Sequence, residues 1–154
     1  QEDMVKQASE FAGTVPVRHL LPYWKTSNRY LFSGGSVNMR DAAVYAKEEN
    51  WSKAVELWKQ TYETKKGKQK MYAAYNTALG YEMQDSIDTA LEWALKAQTL
   101  AREKSKTDKK ETGEIHDGTI SYYIFISMYV DELEKRKEGM ARLNMQMNRF
   151  DDDF

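Results

Sequence analysis

The chain has two histidines, His19 and His116, and no cysteine, so a thiolate metal site, a disulfide and a cysteine nucleophile are excluded by residue type. His116-Asp117 has the side chains of a metal-binding pair, but such a centre needs further imidazole and carboxylate ligands, and the other histidine lies in a distant segment. A capping or loop role fits the pair better. Asp151-Asp152-Asp153 offers three carboxylates to a cation, yet lacks the spaced ligands and turn glycine of a calcium loop and reads as a solvated tail. Ser33-Gly34-Gly35-Ser36 is not followed by Gly-Lys-Ser/Thr, so it reads as a hinge and not a phosphate cradle. The lysine runs at 65–70 and 104–110 sit beside acids and read as solvated turns. No Ser or Thr has a histidine close by in sequence that would make it a nucleophile. The expectation is a chain without catalytic residues, metal, nucleotide or covalent cofactor, and not an enzyme.

Whatever binding the chain does must be positioned by its helices. Its 154 residues suit one domain with a substantial core, and 31% charged against 41% hydrophobic residues, with two prolines and eight glycines, favours a helix-rich fold. Four Trp, ten Tyr and five Phe supply enough bulk to offset the entropy of ordering the chain. A net charge of −1 argues against a dedicated nucleic-acid binder. Met4, Ala8 and Phe11 share a face of a helix expected over 2–12 and stopped by Gly13. The segment 15–32, with both prolines and a run of large apolar residues, reads as irregular or short-helical chain that caps the fold. Four helices follow, at 37–49, 51–64, 69–84 and 87–103, with Asn50 and Ser86 as equivalent N-caps. A charged loop takes 104–118, a C-terminal helix 119–150 and a frayed tail 151–154.

Ala42, Tyr45, Trp51, Ala54, Val55 and Trp58 recur thirty-six residues later as Ala78, Tyr81, Ile87, Ala90, Leu91 and Ala94. Small residues stand where two helices must touch, and large ones where the gap must be filled. Over 37–101 this pattern resembles the tetratricopeptide repeat (TPR), although the period is two residues longer than usual and the closing proline is missing from both units. The resemblance implies an all-α fold of TPR-like helical hairpins, stacked as a short right-handed solenoid between N- and C-terminal capping helices. It also places Tyr72, Tyr75, Asn76 and Leu79 on the concave surface, the candidate ligand or partner surface. Carboxylate-clamp TPR domains use an Asn where Asn76 falls, but the first-repeat positions are Met39 and Ala43, so a structural hydrogen-bonding role for Asn76 fits better. Burial of the aromatic face under the chain's own termini is the reading preferred to an open stacking platform, since a two-repeat array needs caps.

The order Pro22-x-Trp24, Arg29-Tyr30, Asn50-Trp51-x-x-Ala54 with Trp58, then Tyr75-Asn76-x-Ala78 with Tyr81-Glu82-Met83, is similar to the C-terminal half of an uncharacterised envelope lipoprotein family of Gram-negative gut commensals. That resemblance implies an exported, periplasmic or outer-membrane-associated protein in which a β-rich region precedes a helical half. The chain opens at Gln1, which points to a processed or excised piece. Ile126, Leu133, Met140 and Met147, with Tyr129, Leu143 and Phe150, form two rows at heptad spacing that Arg136 interrupts. The inner part should cap the second repeat. The outer part, Met140, Leu143, Met147 and Phe150, is the candidate interface for a protein partner or for a homodimer. The function expected is a non-catalytic scaffold for protein–protein contact; the alternative is a glycan- or peptide-binding module that uses the aromatic concave surface.

Overall fold

The computed structural model describes residues 11–19, 25–112 and 122–152. A two-stranded antiparallel hairpin, β1 (Phe11–His19) and β2 (Lys25–Phe32), precedes five helices. These are α1 (Val37–Lys47), α2 (Trp51–Thr64), α3 (Lys68–Met83), α4 (Ile87–Thr112) and α5 (Tyr122–Asp152). The helical body is all-α, with α1 on α2, α2 on α3, α3 on α4 and α4 on α5 in sequential adjacent pairs.

The hairpin corrects the expected start of the fold. Residues 1–10, which hold most of the expected helix at 2–12, and residues 20–24 lie outside the described residues, while Phe11–His19 and Lys25–Phe32, most of which was expected to be irregular, form strands. Thr14, Val15, Val17 and Thr26 are β-branched, which suits a pleated surface better than a helix. Gly13 marks an irregularity in the pairing between Phe11 and Gly13, not a helix stop. Pairing is in register from Thr14↔Tyr30 to His19↔Lys25.

In the body, α2 has the expected bounds, and Asn50 caps it by accepting from the Lys53 N–H at 3.4 Å. The turns after α1 and α3 share one geometry. Glu49 and Asp85 each adopt a left-handed φ, 61° and 60°. Asn50 and Ser86 then donate back to the Tyr45 and Tyr81 carbonyls at 2.8 and 2.9 Å, closing the same helix-ending motif thirty-six residues apart. Ala54 and Ala90 are fully buried. Gly80 has no room for a side chain, because a Cβ there would run into Val55 of α2 and crowd Trp58. α3 is the central helix: every residue from Met71 to Gly80 is buried, since α2, α4, α5 and β2 surround it.

α4 continues nine residues past its expected end, to Thr112. Residues 104–112 contain four lysines, a glutamate and neither Gly nor Pro, so nothing in them breaks a helix. The rest of the expected loop, 113–118, lies outside the described residues. α5 runs two residues beyond its expected end, so Asp151 and Asp152 are helical.

Candidate functional site

Tyr72, Tyr75, Asn76 and Leu79 lie together on one face of α3, and all are buried. That face is covered by the end of β2 and the start of α5. Asn76 holds Phe32 by both main-chain groups: its Oδ1 accepts from the Phe32 N–H at 3.0 Å, and its Nδ2 donates to the Phe32 carbonyl at 2.6 Å. The amide thus does what a neighbouring strand would do for β2. Tyr75 donates to the Tyr30 carbonyl at 2.6 Å. The Phe32 ring stacks on Tyr72 with centroids 4.1 Å apart and meets Tyr75, Tyr122 and Phe125 edge-on. The two hydroxyls of Tyr72 and Tyr122 lie 2.8 Å apart. The aromatic surface therefore surrounds a residue of its own chain.

One turn further along α3 lies a charge cluster that sequence reasoning missed. Glu82 is fully buried, and three side chains from two elements converge on its carboxylate. Arg29 of β2 donates to Oε1 at 3.2 Å and Oε2 at 3.3 Å; Arg136 of α5 donates to Oε2 at 3.2 Å; Tyr129 of α5 donates to Oε1 at 2.9 Å. Arg136 also reaches the Glu82 carbonyl at 3.4 Å and the exposed Asp85 carboxylate at 2.8 Å. Arg29 lies over the Tyr129 ring, 5.6 Å from its centre. Burial lowers the Arg29 pKa, but its hydrogen bond to Glu82 and the charge of that carboxylate more than reverse this, leaving it raised. Burial, then the negative charge of Glu82, pushes the Tyr129 hydroxyl well above its ordinary value, and burial likewise raises Tyr75. Both hydroxyls stay protonated and act as donors. A carboxylate saturated by two guanidiniums and a phenol has no lone pair aimed at an open site, so the cluster ties elements together and is not arranged to act as a base.

The signal for this cluster was present at two positions. Glu82 falls thirty-six residues after Ala46, a buried apolar position of the first repeat, and Arg136 breaks an apolar row. Neither misfit names its partner.

The heptad stripe of α5 divides at Gly139, with the candidate interface on its outer part. Ile126, Tyr129, Val130 and Leu133 are buried against the body, whereas Met140 and Leu143 are half-buried and Met147 and Phe150 are 57% and 63% exposed. His116-Asp117 lies outside the described residues, and His19 falls at the end of β1. Among the described residues no three His, Asp or Glu side chains gather as a metal site, and no helix is long and apolar enough to cross a membrane. An open depression of about 550 Å³ beside α1 and α2 is lined by Asn38, Glu56, Lys59, Gln60, Glu63 and Thr64, and holds no nucleophile with a paired base.

The family model described as a domain of unknown function (DUF6340) matches residues 40–135, and a second, also a domain of unknown function (DUF8603), matches residues 1–32. The chain therefore belongs to the DUF6340 family. The boundary between the two matches falls where β2 gives way to α1. No curated protein and no solved structure matches the chain.

Proposed function

We propose that this DUF6340-family chain is a non-catalytic, TPR-like scaffold that makes protein–protein contacts. The observation that carries the reading is the occupied aromatic face: Phe32 fills the space a stacked ligand would take, and Asn76 is saturated by the Phe32 main chain. A glycan or peptide bound on Tyr72, Tyr75 and Leu79 would have to displace β2. The TPR-like reading is supported by the recurrence of the Glu49 and Asp85 turns at the sequence period and by alanines at both helix contacts. A strand hairpin ahead of a helical body is also the order that the envelope-lipoprotein resemblance implies, which supports an exported location.

The contact surface is the outer part of α5, and its partner is a second copy of the chain. Thirteen residues from Met140 to Asp152 extend by about 20 Å at helical rise. Their stripe of Met140, Leu143 and Met147 would be an unusual surface to leave in water. Charges of both signs flank it, and Lys135, Lys137 and Arg142 already pair with Glu132, Asp88 and Glu138. Self-pairing of two such stripes would cover the Met140, Leu143 and Met147 side chains of both copies at once. Light scattering after size exclusion tests this. The full chain should be a dimer, and the chain truncated after Glu138 a monomer that still melts cooperatively near the full-length temperature. If the full chain is monomeric, or if truncation lowers the melting temperature markedly without changing the oligomeric state, the outer helix is not an interface.

A further inference from the structure

On a surface away from α5, three lysines gather around one pair of rings. Tyr62 of α2 meets Trp93 of α4 edge to face, with centroids 5.0 Å apart. Lys70, from the first turn of α3, lies 4.7 Å from the Tyr62 centre. Lys96 of α4 lies 4.1 Å from the Trp93 centre and 5.9 Å from that of Tyr62. Lys59 of α2 lies 5.8 Å from Trp93 and 5.3 Å from Tyr81. None of the three takes part in an ion pair among the described residues. Carboxylates are within sequence reach, since Glu56 and Glu63 flank Lys59 and Glu92 precedes Lys96 by a turn. The ammonium groups turn to the rings instead, which holds them in place, and none lies within ion-pair distance of a carboxylate among the described residues. The sequence beside them adds to the imbalance: residues 59–70 contain five lysines and one glutamate, in a chain of net charge −1.

We infer that the surface formed by Lys59, Lys70 and Lys96 around Tyr62 and Trp93 docks an acidic protein segment. Three point-like ammoniums match separate carboxylates, whereas a phosphate-reading surface favours the bidentate fork of arginine. Trp93 is buried and Tyr62 half-buried, with lysines over both, so neither ring offers the exposed platform on which a sugar or a base would stack. Lysines held on rings also lose less side-chain entropy on binding than free ones.

Labelled hexa-glutamate, titrated into the full chain at low ionic strength and read by fluorescence polarisation, tests the inference. Binding should saturate, weaken as salt is added, and shift the Trp93 indole N–H resonance. Replacing Lys59→Gln, Lys70→Gln and Lys96→Gln together should weaken it about tenfold, the sum of three exposed charge pairs of ordinary strength. The control Lys47→Gln, Lys53→Gln and Lys106→Gln removes the same charge from exposed positions elsewhere and should leave binding near wild type. Circular dichroism checks that each triple variant melts as the parent does, and Lys96→Gln alone serves if the first triple does not. Equal losses in both triple variants, absence of saturation, or an unmoved Trp93 resonance would overturn the inference. Tighter binding of a heparin hexasaccharide than of hexa-glutamate would overturn it in favour of an anionic glycan.

Discussion

Positions 46 and 82 are equivalent in the two repeats and both are buried, yet one is alanine and the other glutamate. The exchange depends on Arg29, Tyr129 and Arg136, each of which touches the Glu82 carboxylate. Removing Glu82 would leave Arg29 buried without its carboxylate and Arg136 with only the exposed Asp85, which is costlier than never having built the cluster. Glu82→Ala should therefore lower stability by roughly 3–5 kcal/mol in chemical denaturation. The triple variant Glu82→Ala, Arg29→Leu and Arg136→Met should regain most of that loss. If Glu82→Ala costs no more than an ordinary surface change, the cluster does not hold the fold. The cluster was only half legible in the sequence. Arg136 and Glu82 were visible as misfits in otherwise apolar patterns, but the partners are 53 and 54 residues away from Glu82, and no local spacing relates them.

The elements that local rules govern were legible nearly to the residue. α2 begins after Asn50 and ends at Thr64 as expected, because a cap and an amphipathic pattern act within a few residues. The hairpin was not legible, since strands draw their stability from cross-strand and tertiary partners more than from their own residues. Here that support includes Asn76, forty-four residues on from Phe32. The breaks at 49–50 and 85–86 were legible from their N-caps, but the left-handed backbone of Glu49 and Asp85 was not, because no glycine marks it. Glu49→Gly should raise stability by roughly 0.5–1 kcal/mol, the left-handed penalty less the larger unfolded-state entropy of glycine. Asp85→Gly should gain less or nothing, because Arg136 loses its 2.8 Å carboxylate contact. Paired denaturation curves check both, and an equal gain from the two would show that the Asp85–Arg136 contact adds no stability.

At the scale of the whole molecule, pH reads out how tightly the hairpin, α3 and α5 are joined. Tyr75 and Tyr129 sit between them, and both hydroxyls have pKa values raised above their ordinary value, chiefly by burial. A raised folded pKa gives stability that is complete below about pH 10, the unfolded value, and that falls as pH rises beyond it. Each tyrosine should contribute about 1.4 kcal/mol per pH unit to the alkaline decline. In Tyr129→Phe the alkaline limb should be shallower by that amount, although the variant starts less stable for want of the Glu82 hydrogen bond. An unchanged slope would mean that Tyr129 ionises alike in both states. The grip of Asn76 on Phe32 has a mechanical consequence as well. Tension applied to β1 runs along the hairpin and meets, at Phe32, an anchor on the most enclosed helix of the body. Arg29 joins the same strand to Glu82, and Glu82 is joined to α5 through Arg136 and Tyr129. A pull from the N-terminal side is therefore delivered to the centre of the protein and on to its longest helix, and the hairpin cannot be peeled away without disturbing both.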